Sequence, residues 1–205
     1  MATLDIITLA EAKATVNLDQ TDVTHDEELA RFISAVSSRI DDLVGPVVAR
    51  SVSELHDGGV RFIQPRTTPV GAITTLTEYD STTPTVLTAE SNVSKPSTGY
   101  LLDVKWSHDV RIRRRDGGSD ARFASGRRNV ELVYSAGRAA TTADVPDVFK
   151  MAAALTVQHM WKPSAGMWAQ TSQFGDEPRS HVAPWMVPKA VKELLHNELR
   201  PVRVA

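Results

Sequence analysis

Six histidines, His25, His56, His108, His159, His181 and His196, are the side chains best suited to ligate a metal or move a proton near neutral pH. None sits in a His-Glu-x-x-His pattern or another ligand spacing, and His159 falls where a helix is expected to place a core or near-core residue. Asp41-Asp42 could form half of an acid pair, but neighbours on a helix point about 100° apart, which suits a solvated face better. Serine hydrolysis needs residues that converge in space rather than in sequence. His108 and Asp109 with a serine therefore keep a hydrolase reading open, although no Gly-x-Ser-x-Gly segment is present. Asp57-Gly58-Gly59 and Asp116-Gly117-Gly118 read as hairpin turns rather than phosphate cradles, because neither Gly-Lys-Ser/Thr nor a helix start follows them. Trp161, Trp168 and Trp185 suit core or interface anchoring better than a ligand cage. No cofactor or metal is expected.

Charge distribution is more informative than any single residue. The 205 residues carry a net charge of −2, but residues 1 to 60 hold eleven acids against four bases, a balance of −7. Residues 111 to 128 reverse the sign: seven arginines (Arg111, Arg113, Arg114, Arg115, Arg122, Arg127, Arg128) oppose Asp116 and Asp120, a balance of +5. Such polarity suits head-to-tail contacts between copies, an anionic partner, or simply a solvated basic loop. The arginines lack the interleaved aromatics of a single-strand binder, Phe123 being alone among them.

The elements that must carry these residues follow from periodicity. With 41% hydrophobic and 23% charged residues the composition is that of a soluble globular protein, long enough for one elaborated domain or two small ones. The absence of cysteine excludes disulfides and thiolate chemistry. No signal-peptide succession opens the chain, and no apolar run approaches the roughly 20 residues of a membrane helix, so a soluble cytoplasmic product and no membrane partner are expected. Thr8 and Glu11 form a capping pair that predicts a helix from Leu9 to about Val16. Thr24 and Glu27 repeat the device before a helix whose Leu29, Phe32, Ile33, Val36, Ile40 and Leu43 share a face and which ends at Gly45-Pro46.

From Val47 the period shifts toward two, and strands are predicted at 52–55, 60–63, 73–79, 85–87, 100–104, 110–112 and 130–134. Ser81 to Thr98 reads as a surface loop. Pro146 then opens a helix to about Trp161 with Val148, Ala152, Leu155 and His159 inward, flanked by Phe149 and Thr156, and Pro163 is expected to end it. Residues 164–184 read as a long loop, ordered by a partner or functional. Val187-Pro188 opens a last helix with a narrow stripe of Val191, Leu194, Leu195 and Leu199. The fold class expected is α+β: a bundle of two N-terminal and two C-terminal helices (1–46 and 138–205) with a small antiparallel sheet inserted at 47–137, all one structural unit.

Several motifs in order carry a family resemblance. Leu9, Ala12 and Lys13 make a Leu-x-x-Ala-Lys opening helix, and Leu29, Ile33, Val44 and Gly45 mark a second helix closing on Val-Gly. Pro69, Val70, Ile73 and Leu76 form Pro-Val-x-x-Ile-x-x-Leu, Val130 to Gly137 give Val-x-Leu-x-Tyr-x-Ala-Gly, and Val145 to Ala152 give Val-Pro-x-x-Phe-Lys-x-Ala. With Val187 to Leu195 as a final Val-Pro-x-x-Val-x-x-Leu-Leu, the chain from about 9 to 199 resembles the head-tail connector, or adaptor, proteins of long-tailed bacteriophages. It departs from minimal members in a longer inserted sheet, a longer 164–184 loop, and Leu199 where an aromatic is usual.

The resemblance implies a structural role without turnover: a ring, commonly of twelve copies, in the virion neck below the portal protein. It would be assembled in the host bacterial cytoplasm, receive the next neck or tail protein, and surround DNA that slides through without sequence-specific binding. A closed ring needs two different faces on each copy, which the acidic N-terminal third and the basic insertion could supply. A narrow apolar stripe with a short basic tail suits helix-in-groove binding, so Val191, Leu194, Leu195, Leu199, Arg200 and Arg203 are expected to dock on the portal. Arg113, Arg114, Arg115, Arg127 and Arg128 are expected at subunit or DNA contacts. Two other readings remain: a DNA-binding module using Arg111 to Arg128, and the hydrolase.

Overall fold

A computed structural model describes residues 4–106, 109–164 and 187–199. It divides into two compact units, residues 1–48 with 139–205, and residues 49–138.

The first unit is helical. Helix α1 (Leu9–Thr15) starts as expected: the Thr8 hydroxyl accepts the Glu11 N–H at 3.2 Å while Glu11 accepts the Thr8 N–H at 2.7 Å. Helix α2 (Asp26–Val44) does not repeat that box, because its first flanking residue is His25, which makes no side-chain cap bond. Instead His25 stands edge-on against Trp161, with ring centroids 5.1 Å apart, and the Lys13 ammonium lies 2.6 Å from Asp26. At its far end Gly45 takes φ 89°, a left-handed value that a side chain would oppose. Asp41 there accepts the Val47 N–H at 2.9 Å while Asp42 is exposed, so the two aspartates diverge rather than converge.

Helix α3 (Asp147–Ser164) runs through Pro163 rather than stopping before it; a proline in the last turn removes only one bond of a ladder already formed. Its buried face is Phe149, Ala152, Ala153, Thr156, Val157 and Trp161, so the stripe is rotated from the expected one and leaves Leu155 exposed. The spacing explains this, since both sets recur at helical intervals and only the larger aromatic anchors distinguish them. Helix α4 is short (Lys189–Leu194), followed by a 3-10 turn at His196–Glu198. Val191 and Leu195 join Leu29, Ile33, Phe149 and Val157 in one core.

The second unit corrects the expectation of one small antiparallel sheet. It holds two sheets, with β1 (Arg50–His56), β9 (Val130–Ala136), β3 (Val70–Asp80) and β4 (Thr83–Val86) in the order β1-β9-β3-β4. The other sheet runs β2 (Phe62–Ile63), β7 (Asp109–Asp116), β6 (Gly99–Trp106), β5 (Thr88–Ala89), with β8 (Ser119–Asp120) also on β7. The pair β5–β6 is parallel. The additional strands are two residues long, below what alternation can reveal, and β5 arises inside the stretch read as a loop. Val130, Leu132, Tyr134 and Ala136 point inward from β9, as their period requires, and share a core with Leu76, Tyr100, Ile112 and Phe123. Gly117-Gly118 makes the β7–β8 hairpin, both at positive φ. Gly58-Gly59 is no hairpin, because β1 and β2 belong to different sheets.

Candidate interaction surfaces

Strand β7 sorts its arginines by alternation. Val110, Ile112 and Arg114 are buried, while Arg111, Arg113 and Arg115 are on the other face. Arg114 therefore points into the unit rather than toward a partner: its guanidinium donates to Glu78 at 2.8 and 3.1 Å and to the carbonyls of Ser97 and Gly99 at 3.3 and 3.2 Å. The second oxygen of Glu78 accepts the Ala124 N–H at 3.0 Å, so both buried charges are hydrogen-bonded. The outward arginines are also matched. Arg113 meets Asp103 at 3.2 Å, Arg115 meets Glu90 at 2.8 Å and Asp120, and Arg111 lies 3.5 Å from Asp109 with its guanidinium 5.1 Å from the centre of the Phe62 ring. Hydrogen bonds from Arg115 and then Lys95 hold the Glu90 carboxyl below its ordinary pKa, and the Glu90 bond raises that of Arg115.

The arginines further along the chain stand differently. Residues 57–61 and 121–129 lie side by side: Gly58 N–H donates to Gly126 O and Asn129 Oδ1, both at 2.9 Å, and Phe123 N–H donates to Val60 O at 2.9 Å. Asn129 adds bonds from Nδ2 to Ala124 O at 2.8 Å and Tyr79 O at 3.0 Å. A Cβ on Gly58 would lie 1.8 Å from Ala124 O, so the approach requires glycine. This braced double loop carries Arg61, Arg122, Arg127 and Arg128, all exposed. The one acid among residues 57–61 and 121–128 is Asp57, which accepts the Arg128 backbone N–H at 2.7 Å. Sequence reasoning singled out Arg127 and Arg128 but not Arg61 or the glycine brace, because the signal is a contact between segments some 65 positions apart.

A third polar centre braces β1 to β9. Glu54, buried on β1, accepts Tyr134 O–H at 2.8 Å and the N–H groups of Arg66 at 2.9 Å and Thr67 at 3.2 Å, with His56 Nε2 at 3.0 Å. Burial opposes ionisation of Glu54, but the Arg66 N–H, Tyr134 and His56 outweigh it and keep the carboxyl below its ordinary range. Burial and then the Glu54 bond push the Tyr134 phenol well up. Every member is matched internally, which makes this a structural network.

On the last helix, Val191 and Leu195 are fully buried in the helical core, so half of the expected docking stripe is spent on holding α4 in place. Leu194 is exposed and Leu199 is half-buried beside Lys189, Lys192, Glu193 and His196 in a shallow surface depression. Arg200, Arg203, His108 and the 165–186 stretch lie outside the described residues. Exposed apolar side chains elsewhere include Trp106, 69% exposed at the end of β6, with Val104 near it. Among the described residues no group of three or more His, Asp or Glu could hold a metal, and no helix is long and apolar enough to cross a membrane.

No protein-family model and no curated protein matches the sequence. Solved structures do match its fold over full length. A chain of the neck of an empty gene transfer agent particle, computed with C6 symmetry, aligns over 100% of this chain and 95% of its own, with a TM-score of 0.60 and 14% identity. A chain of the virion of the native gene transfer agent particle aligns over 98% of this chain and 92% of its own, with a TM-score of 0.59 and 17% identity.

Proposed function

We propose that the protein is a structural subunit of the neck of a phage-like particle, an adaptor that forms a ring between the portal and the next neck or tail protein. The observation that carries this reading is the full-length likeness to a particle neck chain, which spans the helical unit and the strand unit together. The ordered motifs from Leu9 to Leu195 point the same way independently of it. A ring of twelve is the number the resemblance implies, and the virion neck is where the subunit would act. The internal matching of the β7 arginines weighs against a DNA-binding module built on Arg111 to Arg115, since charges spent on Asp103, Glu78 and Glu90 are not offered to phosphates.

Docking on the portal would use the far end of α4, with Leu194 and Leu199 leading into Arg200 and Arg203, while Val191 and Leu195 anchor the helix behind them. Deleting the gene from its phage should yield DNA-filled or leaking heads without tails, seen by negative-stain microscopy. Truncation after Leu199 should give the same heads if the tail docks. Normal tailed particles from the deletion would overturn the neck assignment; normal particles from the truncation alone would overturn only the docking route.

A further inference from the structure

Charge and rigidity coincide at two places in this chain, one in each unit, with opposite sign. The strand unit as a whole has thirteen bases against ten acids, and the helical unit ten bases against fifteen. In the strand unit the surplus is presented by the braced double loop, where Arg61, Arg122, Arg127 and Arg128 oppose Asp57 alone. Beside it Val60 is 41% exposed and Phe62 39% exposed. Arginine mixed with exposed apolar side chains on a rigid support is the composition of a protein interface rather than of a phosphate track.

In the helical unit the surplus is densest between residues 19 and 28. The buried Lys13 ammonium holds that segment from beneath by donating to Gln20 O at 3.2 Å and Asp22 O at 2.7 Å, besides its contact with Asp26. Asp19, Asp22 and Glu27 are exposed above it, with Val23 73% exposed among them. Hydrogen bonds from Thr21 and Thr24 hold the Asp19 and Asp22 carboxyls below their ordinary values, so both are charged throughout the neutral range. Bases beside this face include, besides the buried Lys13, Arg31, 3.7 Å from Glu27, and His25, 3.5 Å from Glu28.

We propose that the arginine double loop of one copy docks on the 19–28 face of a second copy of the same chain. This rests on the ring reading and names the contact that closes the ring. The match is of both kinds: arginines meet aspartates and glutamate, and Val60 and Phe62 have Val23 as an apolar counterpart. Because the two patches are different surfaces, the contact is head-to-tail, the kind that generates rings when its rotation closes. The backbone beneath both patches is already held, so binding orders side chains without also having to order the loops that carry them.

The chain has no cysteine, which makes the test direct. Ser125→Cys and Thr24→Cys, both at exposed positions, are made in separate full-length chains, mixed, and oxidised, alone and on the particle's own portal ring. A disulfide between the two variants must then join different copies. Its yield should fall at least about ten-fold when salt rises from about 50 mM to about 500 mM. Charge reversal gives the second readout. Arg127→Glu with Arg128→Glu, and separately Asp22→Lys with Glu27→Lys, should each abolish assembly measured by mass photometry. A mixture of the two should assemble again as an alternating ring. Wild-type rings with no mixed disulfide, or reversed variants that assemble as wild type, overturn the docking while leaving the ring standing. Reversed variants that assemble normally but lose salt-sensitive duplex DNA binding would assign the loop to DNA and overturn it too. A wild-type chain that stays monomeric on the portal ring would overturn the ring reading, and the docking with it.

Discussion

Two arginine-rich stretches lie within twenty residues of each other and have opposite fates. In β7, a strand flanked by β6, β2 and β8, each arginine finds an acid: Arg114 has Glu78, Arg113 has Asp103, and Arg115 has Glu90 and Asp120. In the double loop, Arg127 and Arg128 ride on a backbone tied by Gly58, Asn129 and Gly126, and the ties use main-chain and amide groups and the Arg122 guanidinium, which donates to Gly59 O at 2.9 Å, not the guanidinium charges of Arg127 and Arg128. A basic run is therefore not one feature. Strands place neighbours at fixed lateral spacing, so acids on adjacent strands neutralise them; the loop is held mainly through its backbone and leaves Arg127 and Arg128 for something else.

The comparison breaks first at Arg114. If β7 uses its arginines structurally, Arg114→Ala should strip the buried Glu78 of its counter-charge and cost about 3–5 kcal/mol in urea unfolding. Arg114→Met with Glu78→Leu should recover most of that loss, because paired apolar replacements leave no buried charge behind. An Arg114→Ala variant of unchanged midpoint would put the two stretches in the same class.

Next in size is the brace itself. Gly58→Ala sets a methyl 1.8 Å from a backbone oxygen that cannot rotate away. It should cost about 1–3 kcal/mol through forced backbone movement. Amide exchange should then quicken at residues 121–129 while that of β7 holds.

A smaller effect is expected in acid, where only matched carboxylates respond. Glu54 and Glu90 are both held below the ordinary 4.5 in the folded chain, so folding favours their ionised forms. Their contribution is complete above the ordinary value and is lost as pH falls through the lower folded values. The urea midpoint should therefore drop between about pH 6 and about pH 3, and Glu90→Gln should flatten part of that slope. Among the described residues no carboxylate meets the side chains of Arg127 and Arg128, and Arg127→Ser with Arg128→Ser should leave the slope as it is.

The helices were legible because their signals are local. Thr8 with Glu11 and Pro146 before Asp147 each lie within one turn, and the stripe from Leu29 to Ile40 within about three. The rotated face of α3 was not legible, since an alanine-rich helix offers two stripes of similar hydrophobicity and the choice is made by partners such as His25 against Trp161. Strand positions showed in β3, β6 and β9, where alternation runs for seven residues or more. The segments holding β2, β6 and β7 also read as strands, but their grouping into a second sheet did not show, and β5 and β8 are two residues each and owe their state to pairing with β6 and β7. At the candidate surfaces the sequence pointed to the right basic stretch without dividing it. That division depends on Glu78, Glu90 and Asp103, which lie 10 to 36 positions away from their arginines.

The finest test of the contrast is one in which almost nothing happens to stability. Arg127→Ser with Arg128→Ser removes two exposed charges whose guanidinium groups support no bond in the brace, so the folded chain should change by no more than about 0.5 kcal/mol. Arg113→Ser, by contrast, unpairs a half-buried Asp103 on the adjacent strand. It should lower the urea midpoint measurably, with the loss shrinking as salt screens what remains. If the loop variant proves the less stable of the two, its arginines are holding the loop rather than being held by it, and the separation of structural from available charge fails at the place where it is drawn most sharply.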